Sequence, residues 1–213
     1  MQLTNRHARM LVPILAVTAA AAAIAGCGGD DDESSDPASV AIEATGTKGA
    51  VSLTATSEVD SGAAEIELTN NTEIPDLDGQ LVFVAEGEEH SDEEVAAELA
   101  KGEAGEPVAD WFVGGGGPGP TVAGESSSVT QELQPGTYYV LPTGAVQPFA
   151  KIAVSGDDNG AELPEPDGTV DASEYTFTSD GLPSGESKVL LDNKGETWHH
   201  FLAAPLKPDA TIE

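Results

Sequence analysis

One cysteine, Cys27, and one pair of adjacent histidines, His199 and His200, are the side chains best suited to chemistry in this sequence. A thiolate can attack an electrophile or bind a soft metal, and an imidazole can move a proton or ligate a metal. Neighbouring residues of a strand point to opposite faces, so only one of His199 and His200 can serve a given site. The pair reads first as surface histidines beside Trp198; as metal ligands they would need a partner chain, or Cu(II) or Zn(II) held loosely with nearby carboxylates. His90 precedes a helix signal and reads as a loop histidine. The acid run Asp30-Asp31-Asp32-Glu33 lacks the spaced oxygen ligands and turn glycine of a calcium loop and reads as a solvated spacer. Ser-x-x-Lys, Gly-x-Ser-x-Gly and His-Glu-x-x-His motifs are all missing from the chain. With 38 acids, any one carboxylate pair is uninformative about glycoside hydrolysis. The expectation is a protein that is not an enzyme.

What positions Cys27 is the segment before it. Residues 1–10 carry Arg6 and Arg9 and no acid, residues 11–26 are almost wholly apolar, and small residues lead to the cysteine. These are the three regions of a secretory signal. The apolar run of 16 residues falls short of the roughly 20 that span a bilayer, and it contains Pro13. Ile24-Ala25-Gly26-Cys27 resembles the lipobox of bacterial lipoprotein precursors. That resemblance implies cleavage before Cys27 and acylation of its thiol, with fatty chains such as palmitate as the membrane anchor. Each buried methylene contributes about 0.8 kcal/mol, so two or three chains hold stably where one does not. The expected location is the extracytoplasmic face of the cell membrane.

Without residues 1–26 the chain has 187 residues, and loss of Arg6 and Arg9 takes its formal charge from −30 to −32. No basic patch exists to neutralise phosphates, which excludes a nucleic-acid partner, and anionic headgroups would repel this surface. Contact with lipid then runs through acylated Cys27 alone, and the sequence names no protein or polymer partner. With its cysteine lipidated, the exported chain has no disulfide and must rely on its apolar core. Twenty-four glycines, 14 prolines and 5% aromatic residues suit short strands and many turns.

Residues 27–45, rich in Gly, Asp, Glu and Ser, read as an acidic flexible tether. Strand signals follow. Val51, Leu53 and Ala55 alternate with polar residues, Asp60-Ser61-Gly62 is a turn, and residues 64–68 alternate again before Asn70-Asn71 ends the strand. Residues 81–84 read as a central strand. Ser91 and Glu94 form a capping box for a helix of about ten residues that Gly102 closes. Residues 114–120 are a glycine and proline loop without the lysine of a phosphate loop, held near a sheet by Trp111. Further strands are expected over 126–133, 137–141 and 149–154, with Gln134-Pro135-Gly136 as a turn.

After a linker over 157–167 the chain starts over. Tyr175-Thr176-Phe177-Thr178, Pro183-Ser184-Gly185, residues 187–191 and Asn193 repeat the order of Leu53-Thr54, Asp60-Ser61-Gly62, residues 64–68 and Asn70. His200-Phe201-Leu202 then matches Gln80-Leu81-Val82. Asn193-Lys194-Gly195, Trp198-His199-His200-Phe201 and Leu133-Gln134-Pro135-Gly136-Thr137-Tyr138 together resemble the cupredoxin fold of plastocyanin-like domains, and especially the tandem copies in exported proteins of high-GC Gram-positive bacteria. The resemblance covers residues 50–154 and 168–213. It implies a Greek-key sandwich and a copper site of one His, a Cys, a second His and usually a Met. In the first copy Gln80 stands at the His position, Val140-Leu141-Pro142 follow where the Cys would come, and residues 143–151 contain neither His nor Met.

The expected fold class is therefore all-β: a cupredoxin-like Greek-key β-sandwich with a short inserted helix over 46–156, and a partial second copy over 168–213. The expected function is a membrane-anchored extracytoplasmic lipoprotein with a non-catalytic binding or scaffold module and no cofactor. The alternative is a copper-binding, electron-transfer protein whose site is completed outside this chain, and a third reading is cation or polymer binding by the acidic surface.

Overall fold

The computed structural model describes residues 9–13, 35–47, 49–141, 149–174, 176–182, 185 and 187–195. Thirteen strands and one helix are found among them: β1 (Arg9–Pro13), β2 (Ala38–Thr47), β3 (Ala50–Ala55), β4 (Glu58–Asp60), β5 (Gly62–Thr72), β6 (Gln80–Ala85), α1 (Asp92–Glu103), β7 (Val113–Gly114), β8 (Ser126–Leu133), β9 (Gly136–Leu141), β10 (Ala150–Ser155), β11 (Gly168–Ser173), β12 (Thr176–Asp180) and β13 (Lys188–Asn193). The expected all-β sandwich with a short inserted helix is what the chain adopts.

An eight-stranded sheet has the order β12-β11-β13-β1-β8-β5-β2-β3, and a five-stranded sheet has the order β4-β10-β9-β6-β7. Val40, Ile42 and Ala44 of β2, Ala64, Ile66 and Leu68 of β5, and Val129 and Leu133 of β8 pack on Leu81, Tyr138, Val140, Ile152 and Val154 of the smaller sheet. The opposite face of that sheet is covered too. Val82, Val84, Tyr139 and Leu141 pack with Phe112 and Phe149 and with Val95 of α1. Burial on both faces explains why β6 and β9 read as continuous apolar runs and not as alternating ones.

The helix starts as its sequence requires. The Ser91 hydroxyl accepts from the Glu94 amide, and Glu94 Oε2 accepts from the Ser91 amide at 2.8 Å, closing the capping box. The Ser91 amide, followed by the Ser91 hydroxyl donating to Oε2 at 3.0 Å, holds the Glu94 carboxyl below its ordinary pKa. Within the helix Glu98 is buried, with its carboxylate between Lys101 Nζ and the Ala109 amide.

Two expectations fail locally. Residues 38–45, expected to continue the acidic tether, form most of β2, because Val40, Ile42 and Ala44 point inward while Ser39, Ala41 and Glu43 face solvent. The Asn70-Asn71 stop is also wrong: β5 runs on to Thr72, with Asn70 fully buried. Its Nδ2 donates to the Ile74 and Thr121 carbonyls at 2.9 and 2.8 Å, and its Oδ1 accepts from the Thr72 amide and hydroxyl. A buried amide with that many partners is fully compensated.

In the second half of the larger sheet β11 runs parallel to β13 and antiparallel to β12. These are the directions that β2 takes towards β5 and β3. Strand β1, inside the expected signal segment, lies antiparallel to both β13 and β8 and joins the two halves. No helix among the described residues is long and apolar enough to cross a membrane.

Candidate functional site

The end of the smaller sheet where β6 begins and β9 finishes is where the resemblance would put a metal. Gln80 and Leu141 are register partners there. Gln80 is exposed, while Leu141 is buried with Val82, Tyr139 and Phe149. Beside them residues 114–119 run as an irregular strand along β6. The Leu81 amide donates to Gly116 O at 2.8 Å, the Gly115 amide to Leu81 O at 2.7 Å and the Gly79 amide to Pro118 O at 3.0 Å. The loop lies close to the sheet, as Trp111 led one to expect.

Gln131 locks this loop from the opposite sheet. Its side chain points inward from β8, Oε1 accepting from the Gly117 amide at 2.9 Å and Nε2 donating to Gly115 O at 2.7 Å. Glycine is required by contact as well as by conformation. Gly116 and Gly117 have φ of 77° and 108°, and a Cβ would overlap Gln131 Oε1 at the first and the Gly79 carbonyl oxygen at the second. The signal in the sequence is a polar residue at an inward position of an alternating strand, between Val129 and Leu133.

A second cluster lies over the outer face, where α1 begins. The His90 ring stacks on Trp111 with centroids 3.6 Å apart, and the Tyr139 hydroxyl donates to His90 O at 2.6 Å. Glu88 and Glu94 stand 3.9 and 4.0 Å from the two ring nitrogens. Lys151 pairs with Asp92 at 2.6 Å and lies 4.8 Å over the Tyr139 ring. The bond to Asp92 is the main cause that raises its pKa. Every one of these groups has a neighbour that accounts for it, so the cluster fastens the helix to the sheet. His90 is the loop histidine its sequence position suggests, half-buried by its packing on Trp111.

No protein-family model matches the sequence, and no curated protein does. Among solved structures the chain is similar to auracyanin B, with 20% identity over 58% of this chain and 93% of that one, at a TM-score of 0.38. It is also similar to dithionite-reduced auracyanin from the photosynthetic bacterium Roseiflexus castenholzii, with 15% identity over 57% and 100% of the two chains and a TM-score of 0.37. A third similar structure is auracyanin A, a blue copper protein from Chloroflexus aurantiacus, with 18% identity over 56% and 99% and a TM-score of 0.36.

Whether this chain's residues suit copper is decided by their donor chemistry. A blue-copper site needs a thiolate, two imidazoles and a weak axial ligand. The amide of Gln80 and the aliphatic side chains of Val140 and Leu141 provide none of these, and among the described residues no group of three or more His, Cys, Asp and Glu is gathered for a metal. The first sandwich does not fit the ion. Cys27, Trp198, His199 and His200 lie outside the described residues.

Proposed function

We propose that this chain is an extracytoplasmic lipoprotein. Residues 1–26 act as its signal peptide, acylated Cys27 anchors it, and a cupredoxin-like sandwich without a copper centre serves as a non-catalytic binding or scaffold module. Residues 168–213 are, on this reading, the first part of a second copy. The support for the anchor is the sequence Ile24-Ala25-Gly26-Cys27 behind a basic and then apolar segment. The support for the module is one observation: Gln80 and Leu141 face each other across β6 and β9 where thiolate and imidazole chemistry would be required.

The full chain, expressed in a bacterium that exports it, tests both parts. Mass spectrometry of the membrane-extracted protein should find an acylated amino-terminal Cys27, and Cys27→Ala should abolish acylation and leave residues 1–26 attached. Titration of the extracted protein with copper should give no stoichiometric binding. One copper per chain, lost in His200→Ala, would overturn the scaffold reading in favour of copper binding.

A further inference from the structure

Strand β13 owes one of its two edges to a segment that the lipoprotein reading removes. In the full chain β1 covers that edge antiparallel, with Arg9 opposite Asp192, Met10 opposite Leu191, Leu11 opposite Leu190, Val12 opposite Val189 and Pro13 opposite Lys188. Cleavage before Cys27 takes β1 away and bares the edge over residues 188–192. An unpaired edge with apolar side chains is a template for another strand.

The sequence of β13 is complementary to itself in the same direction. Two copies of Lys188-Val189-Leu190-Leu191-Asp192 laid antiparallel about a two-fold axis at Leu190 bring each Lys188 opposite the other copy's Asp192 and each Val189 opposite the other's Leu191. The incoming strand thereby repeats β1 position by position: Lys188 replaces Arg9, Val189 replaces Met10, Leu190 replaces Leu11 and Leu191 replaces Val12. Strand β8, the other edge β1 covers, contains Glu132 and no basic residue, so it has no such match with itself.

A second observation marks the Asp192 position as one that wants a cation. Asp192 is 6% exposed. Its Oδ2 accepts from Lys194 Nζ, but its Oδ1 is buried with no hydrogen-bond partner. Lys194 is itself shared with Asp171, 3.5 Å away, which leaves one positive charge among two carboxylates. An uncompensated buried carboxylate oxygen is costly, and processing also removes the cation opposite it, Arg9; Lys188 of a second copy restores a positive charge at that register position.

We propose that the processed protein forms a two-fold symmetric dimer through antiparallel β13–β13 pairing, in the place β1 occupies in the precursor. This rests on the reading that residues 1–26 are removed. The same patch meets itself in such an interface, so both Lys188–Asp192 pairs form at once and the contact closes at two copies. In the precursor β1 keeps the edge covered, and the chain pairs only after processing.

The test uses the full chain with Leu190→Cys. Residues opposite each other on antiparallel strands have Cα atoms about 4.5–5.5 Å apart, within disulfide reach. Oxidation of membranes should link two processed chains through the thiol introduced by Leu190→Cys, while Glu67→Cys on the central strand β5 should remain unlinked. Adding Lys188→Asp or Asp192→Lys should each lower the linked fraction at least tenfold, because both put like charges face to face. Co-expression of the two charge variants with different tags should restore linkage between unlike chains, which a misfolded variant could not do. The amino-terminal mass of the same sample reports processing separately, so retention of residues 1–26 overturns the lipoprotein reading and leaves no free edge. Processed chains that stay unlinked, or charge variants that link as well as the parent, overturn the dimer. Closure of the gap by direct pairing of β8 with β13 is one way to reach that monomeric result.

Discussion

Replacing Gln131 by leucine isolates the contact that holds the glycine loop against the sandwich. The substitution keeps the volume and inward direction of the side chain but removes the bonds to the Gly117 amide and the Gly115 carbonyl, 2.9 and 2.7 Å long. Gly117 is buried, so its amide has no recourse to water. Orphaned backbone groups cost about 1–3 kcal/mol each, and the added apolar burial returns about 1 kcal/mol. The expected net loss is therefore about 1–5 kcal/mol. With a urea m-value of about 2 kcal/mol/M, the unfolding midpoint should fall by about 0.5–2.5 M, read by tryptophan fluorescence. Gln80→Leu, at an exposed position on β6, should change stability by no more than about 0.5 kcal/mol. A Gln131→Leu loss below about 1 kcal/mol at unchanged m would refute the claim that Gln131 fastens this loop.

Gly117→Ala should destabilise by about 3 kcal/mol or more in the same assay, since it adds a clash to a left-handed backbone, whereas Gly119→Ala, with open space around it, should be tolerated. Burial lifts the Tyr138 hydroxyl to about 12, above its value in the unfolded chain. Its contribution is complete below pH 10 and is lost as pH rises towards 12, by roughly 2–3 kcal/mol in all, and Tyr138→Phe should flatten that arm of the stability profile. The Lys101 bond, followed by the Ala109 amide, holds the Glu98 carboxyl below its ordinary value. Its stabilising effect is present above about pH 4.5 and fades as pH falls through the lowered value, so Glu98→Gln should reduce acid sensitivity in thermal melts between pH 3 and 6.

Local signals are legible where local physics decides. The capping box at Ser91 and Glu94, the alternation of β3 and β8, and the apolar runs of β6 and β9 all report interactions within a few residues. Strand β2 is hidden by its neighbours, because Val40, Ile42 and Ala44 follow a stretch of acids and the apolar Ala41 on the outer face blurs their alternation. Asn70 reads as a strand end when taken alone, and only the carbonyls of Ile74 and Thr121 make it an interior residue. Strand β4 has three residues and pairs parallel with β10, which no local pattern reveals. At the candidate site, the misfit with copper is legible from Gln80, Val140 and Leu141. Gln131 is visible as an inward polar residue, but the glycine loop that satisfies it is a tertiary fact.

The pairing of β4 with β10 also bears on when the chain can fold. The first sandwich is closed by residues far apart in sequence: Asn159 Nδ2 donates to Ala63 O across 96 positions, and the Ser61 hydroxyl to Gly156 O across 95. Contacts of such long range make folding slow, because much chain entropy is lost before they form. A growing polypeptide cannot complete this closure until residue 159 has been made. The topology thus holds the first sandwich back from cooperative collapse until its last strand and the segment that follows it are both present.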